Sequence, residues 1–92
     1  MVTVDQAMAY LRLDELDTDT REIVSDLLAA VPSYIEVATG LTPEKQALLP
    51  LCDTVTKFLI KLWYYPESDD ADRLQRCIDS LLKSLKHMKD HG

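Results

Sequence analysis

Residues 51–65, LCDTVTKFLIKLWYY, form the longest apolar run of the chain and hold its only Trp and its only Phe. Placed on a helix at 100° per residue, Leu51, Cys52, Val55, Phe58, Leu59, Leu62 and Trp63 share one broad arc, while Asp53, Lys57 and Lys61 fall opposite. An arc of that width has to be buried, so this stretch is expected to be the central helix of an all-α domain. Ile60 and Tyr64 break the pattern by sitting together on the polar side. Either they are ordinary surface scatter or they face another subunit; taken with Trp63 they are the candidate subunit interface.

Working outward, the remaining segments read as helices too. Thr3 and Gln6 have the spacing of a capping box, and Val4, Ala7, Met8 and Leu11 give a short stripe that should stop near Arg12 or Leu13. A second helix is expected from about Asp19 to Thr39, capped by Asp17 or Thr18. Its apolar arc comprises Ile23, Val24, Leu27, Leu28, Ala30, Val31, Tyr34, Ile35 and Ala38. Pro32 removes one backbone donor inside it and predicts a kinked helix rather than two helices, and Gly40 supplies a left-handed end. Thr42, Pro43 and Glu44 start a short helical turn, Pro50 opens the central helix, and Pro66 to Asp69 break the chain again. From Ala71 to Lys89 a last helix carries Leu74, Ile78, Leu81, Leu85 and Met88 at alternating four and three spacing, widened by Cys77 and Leu82. Its length of about 27 Å exceeds the radius expected for so small a domain, which predicts a projecting end.

The resulting expectation is one domain over residues 1–92: an all-α bundle of four main helices, the second kinked, with the second and third making the core and the fourth partly free. At 92 residues the chain is modestly stable alone, and assembly would help it. The net charge of −6 opposes a general attraction to nucleic acid or anionic membrane. The acidity is lopsided: nine acidic and two basic residues over 1–44 give −7, and seven acidic and eight basic over 45–92 give +1. Such polarity suits a protein that stacks with neighbours, although a solvated acidic face is the simpler account. Cys52 and Cys77 stand on or beside apolar arcs without a CxxC, which reads as small buried hydrophobes in a reducing compartment. No run reaches the length of a membrane span and the start of the chain lacks a signal-peptide pattern, which places the protein in the cytoplasm.

Chemistry-bearing motifs are few. The acidic segment Asp14, Glu15, Asp17, Asp19 lacks the glycine of a calcium loop and has Arg21 where an oxygen ligand belongs. His87 and His91 have the i, i+4 spacing of a metal pair but no third ligand, and neither has a partner that would orient it as a catalytic base. No metal, no cofactor and no enzymatic activity are expected. The segment ATGLTPEKQALLP, residues 38–50, imitates a helix-turn-helix, which makes a small DNA-binding protein the alternative reading. Against it, only Lys45 and Gln46 are offered to base edges and Pro50 cuts the second helix short. A generic helical interaction module is a third reading.

The order of features resembles the phage head–tail connector (adaptor) family, small proteins also described as candidate DNA-packaging proteins of tailed phages and prophages. The opening VTVDQAMAYLRLDE, with Tyr10, Leu11, Arg12 and Leu13, is similar to the family's first helix and the acids after it. LLAAVPSYIEVATG, with Tyr34, Ile35, Glu36, Thr39 and Gly40, resembles the second, and the Pro50-led helix ending in Trp63, Tyr64 and Tyr65 resembles the third. The chain departs from the family pattern in its short connector after Gly40 and its long final helix. The resemblance implies a structural role: a ring of copies under the portal protein, extending the DNA channel and meeting the next neck or tail-completion protein, with DNA passing unread. It implies assembly in the host cytoplasm and residence in the virion neck. On that reading Ile60, Trp63 and Tyr64 would make the subunit contact, and Lys83, Lys86 and His87 on the projecting helix the portal or neck contact.

Overall fold

The computed structural model describes residues 1–91, with side chains described through Lys89. It is all-helical, with α1 over Val4–Tyr10, α2 over Thr18–Thr39, α3 over Pro43–Gln46, α4 over Pro50–Tyr64 and α5 over Ala71–His91. The helix starts follow local chemistry. Thr3 Oγ1 accepts from the Gln6 N–H at 3.1 Å while Gln6 Oε1 accepts from the Thr3 N–H at 3.0 Å, which satisfies two of the donors a helix start leaves open. Asp17 caps α2 through its carboxylate, 3.2 Å from the Thr20 nitrogen. That hydrogen bond holds its carboxyl below the usual carboxylate range. Thr42 caps α3, and prolines stand in the first turns of α3 and α4, where a missing N–H costs nothing.

Helix ends are equally local. Arg12 takes a left-handed φ of 57° after α1, so that the Leu13 N–H reaches the Met8 carbonyl at 3.0 Å and the Arg12 N–H that of Ala9 at 3.1 Å. Gly40, at φ 82°, closes α2 with its N–H on the Glu36 carbonyl at 2.7 Å. Pro32 lies inside α2 and the helix runs through it as one element, as its place beside the polar edge predicts. Thr39 is buried there because its hydroxyl donates to the Ile35 carbonyl at 2.7 Å and accepts from the Leu41 N–H at 3.1 Å.

The three long helices α2, α4 and α5 are mutually packed, α4 and α5 most extensively, and α1 lies across α2 and α4. Their shared core is built from Met8 of α1, Val24, Val31 and Ile35 of α2, Val55, Leu59 and Ile60 of α4, and Ile78, Leu82 and Leu85 of α5. Two expectations are corrected here. The last helix is not partly free: it buries Ile78, Leu82 and Leu85, and its end lies beside the α2 terminus, where the Lys89 side chain comes within 3.2 Å of the place a Cβ on Gly40 would occupy. Ile60 is not on a polar side either, being 0 % exposed. α1 is tied to α4 at both ends, by the Met1 ammonium 3.3 Å from Asp53 and by the Tyr65 hydroxyl donating to the Leu11 carbonyl at 3.4 Å. Asp53 and Ile60 are seven residues apart and share a face, so the side read as polar is the one that receives α1. α4 is covered on several sides, and one apolar arc understates its burial.

Candidate interaction surface

Trp63 and Tyr64 are half-buried at the edge of the core rather than presented outward. The Trp63 ring meets Tyr34 of α2 edge-on, with centroids 5.6 Å apart at 82°, and Tyr64 meets Tyr65 at 4.8 Å and 76°. These are internal pairings of the kind that add to area burial. With Ile60 inside, the three residues do not form one exposed apolar patch, and Trp63 and Tyr64 already have aromatic partners in Tyr34 and Tyr65.

Lys83, Lys86 and His87 are all exposed on α5. Lys83 and His87 are one turn apart and continue a stripe with Arg73 and Arg76, opposite the buried Ile78 and Leu82, whereas Lys86 stands nearer the other edge. Arg73 is drawn to Asp70 at 2.9 Å. The outward face of α5 thus carries Arg76 and Lys83 interleaved with the exposed Asp72 and Asp79, while the outward face of α2 carries Asp19, Glu22 and Asp26 beside the exposed Ile23 and Val37. The arc predicted for α2 was too wide: Val24, Val31 and Ile35 are buried, but Ile23, Ala30, Tyr34 and Ala38 are exposed. Sequence periodicity did not separate those two edges, because both are apolar.

Cys77 corrects another expectation, since it lies on the exposed side of α5. Cys52 is buried as expected, and burial, helped by the neighbouring Asp53 charge, pushes its thiol up, the reverse of what activates a nucleophile. Among the described residues no three His, Cys, Asp or Glu side chains gather into a metal-binding group, and the side chain of His91, the partner considered for His87, lies outside them. The acids of the α1–α2 loop serve the backbone: Asp14 accepts from the Leu16 N–H at 2.9 Å, and Asp17 caps α2. No described helix is long and apolar enough to cross a membrane.

The segment that imitates a helix-turn-helix has a different use. Gln46 is buried, and its side-chain amide donates to the carbonyls of Pro32 at 3.0 Å and Leu41 at 2.8 Å. It faces the interior of the domain, which leaves Lys45 without the second polar side chain that base reading would call on. The surface features that the sequence reading passed over are single apolar side chains: Leu16 is 88 % exposed, Val37 89 % and Leu48 80 %. Only Leu16 interrupts a polar stretch, which was an available signal; Val37 and Leu48 have apolar neighbours in sequence.

Compared with protein-family models, curated proteins and solved structures, the chain matches none. The class that fold and surface define is a small all-α bundle with apolar points outside its core.

Proposed function

We propose that this chain is a non-enzymatic assembly protein of the phage neck, a connector whose copies form a ring beneath the portal and extend the DNA channel toward the tail. The observation that carries the reading is the exposure of Leu16, Val37 and Leu48 on a bundle whose core is already closed without them. The three stand apart, Leu16 and Leu48 beyond opposite ends of α2, so they offer separate contact points to more than one neighbour rather than a single apolar patch. The −7 charge of residues 1–44 suits a channel wall that passes DNA without holding it, since like charges repel the phosphates. The order of helices and the Tyr10–Leu13, Tyr34–Glu36 and Trp63–Tyr65 features support the same family resemblance. The partners are then the portal protein, further copies of the chain, and the next neck or tail-completion protein. Assembly takes place in the host cytoplasm and the product resides in the virion neck. Because α5 is packed along its length, contact with the portal would come from the C-terminal part of its outer face, with Lys83 and His87 flanked by Lys86, rather than from a projecting tip.

Electron microscopy of the portal protein from the same genome, mixed with this chain, tests the proposal. A second annulus coaxial with the portal is expected. Bare portal rings beside a folded, unbound chain would contradict it. The DNA-binding alternative has no observation in its favour, given the inward Gln46 and a four-residue α3.

A further inference from the structure

Leu16 is held out in water on a fixed loop. The Asp14 carboxylate accepts its N–H at 2.9 Å, the Asp14 carbonyl accepts the Asp17 N–H at 3.1 Å, and Asp17 is itself tied to the first turn of α2. Asp14, Glu15, Asp17 and Asp19 surround the leucine in sequence, so the loop is an apolar tip set among carboxylates. At the other end of α2, about 33 Å away along 22 residues at ~1.5 Å each, the surface has the opposite character. Leu41, Leu48, Leu49 and Met88 line a notch of about 310 Å³ together with the stems of Lys45 and Lys89. An apolar tip flanked in sequence by four carboxylates thus has, on the same molecule, an apolar notch whose lining includes two lysines. The length of α2 keeps the two from meeting within one copy.

We infer that the Leu16 loop of one copy docks into the Leu48–Met88 notch of the next, a head-to-tail contact in which each copy offers one of each surface. The inference rests on the ring-forming reading for its succession of copies, but not on the portal. One leucine and its rim cover little beside the roughly 800 Å² per partner of a standard stable interface. The contact therefore fills at high concentration, or where copies are held side by side, and is sparse in dilute solution.

The test is disulfide trapping in a Cys77→Ser background, where the remaining Cys52 is buried. Leu16→Cys combined with Leu48→Cys is compared with Leu16→Cys combined with Ser80→Cys, with and without the portal protein; all three positions are exposed, so the fold is expected to survive and is checked by circular dichroism. The expected result is a ladder of dimers and higher species for the first pair, forming at least tenfold faster than for the control. Lys45→Glu is expected to slow it severalfold, and Glu15→Lys added to Lys45→Glu to restore it. Equal rates for the two pairs in both conditions, with native helical spectra, overturn the contact. A ladder without portal binding keeps this contact and removes the neck assignment, and portal binding without a ladder does the reverse.

Discussion

The side-chain amide of Gln46 donates to the backbone carbonyl of Pro32 at 3.0 Å, which ties the short α3 to the middle of α2 at the one place where α2 lacks a backbone donor. A second bond from the same nitrogen to the Leu41 carbonyl, 2.8 Å, makes Gln46 the pin of the whole α2–α3 corner. Gln46→Glu replaces that donor with an acceptor facing two carbonyls. At neutral pH the variant is expected to lose about 1–3 kcal/mol. Burial and the carbonyl dipoles raise the pKa of the new carboxyl in the folded state, so the stabilising protonated form is present below its unfolded value of about 4.3 and is lost as pH rises through the folded value. Denaturant unfolding of variant and parent at pH 4 and pH 7 checks this: their difference should shrink in acid.

Ile60 separates an interior residue from an interface residue. Ile60→Ala is expected to lower stability by about 2–5 kcal/mol through the cavity it leaves in the core, and Ile60→Asp to prevent folding. Thermal melts of the isolated chain at low concentration are sufficient. A melting temperature unchanged for Ile60→Ala would mean that the side chain is not in the core of the monomer.

Arg12 and Gly40 share a left-handed backbone but call for opposite substitutions. Gly40→Ala adds a Cβ where φ is 82° and where the Lys89 side chain already stands within 3.2 Å, and should cost about 1–2 kcal/mol. Arg12→Gly relieves the same strain after α1 and should gain about 0.5–1 kcal/mol. For a domain of this size each kcal/mol corresponds to roughly 4–8 °C in melting temperature, well within calorimetric resolution.

Asp17 gives a pH dependence of the other sign. Its folded pKa is lowered, first by the Thr20 backbone N–H, so its contribution is present above the unfolded value of about 3.9 and is lost as pH falls through the folded value. Asp17→Asn keeps an acceptor at the cap but does not titrate. The variant is expected to melt below the parent at pH 7, with the gap closing as pH falls below the unfolded value of about 3.9. A constant gap across that range would show that the charge of Asp17 is not what stabilises α2.

What was legible in the sequence was what is decided locally. The Thr3–Gln6 box, the Asp17 cap, the Gly40 stop and the prolines at 43 and 50 act within one turn of chain, and each falls where its neighbours in sequence predict. What was not legible depends on how many partners a helix has. α4 is touched by α1, α2 and α5, so Ile60 is interior although its own helix makes that side look polar. α2 has more apolar residues than its partners cover, so Ile23 and Val37 are exposed, and on α5 Cys77 lies outside the buried seam of Ile78, Leu82 and Leu85. Among the interface candidates Ile60 is interior for the same reason, while Trp63 and Tyr64 keep part of their surface; the apolar points most open to water, Leu16 and Leu48, lie in loops and turns without periodicity to expose them.

The neck assignment is tested most directly by mass photometry of the chain mixed with the portal protein of the same genome. The account predicts a portal species heavier by many copies, in multiples of 10.5 kDa, with Lys83→Glu combined with Lys86→Glu reducing occupancy at least several-fold while leaving the fold intact. A portal peak unmoved by an excess of folded chain would contradict it.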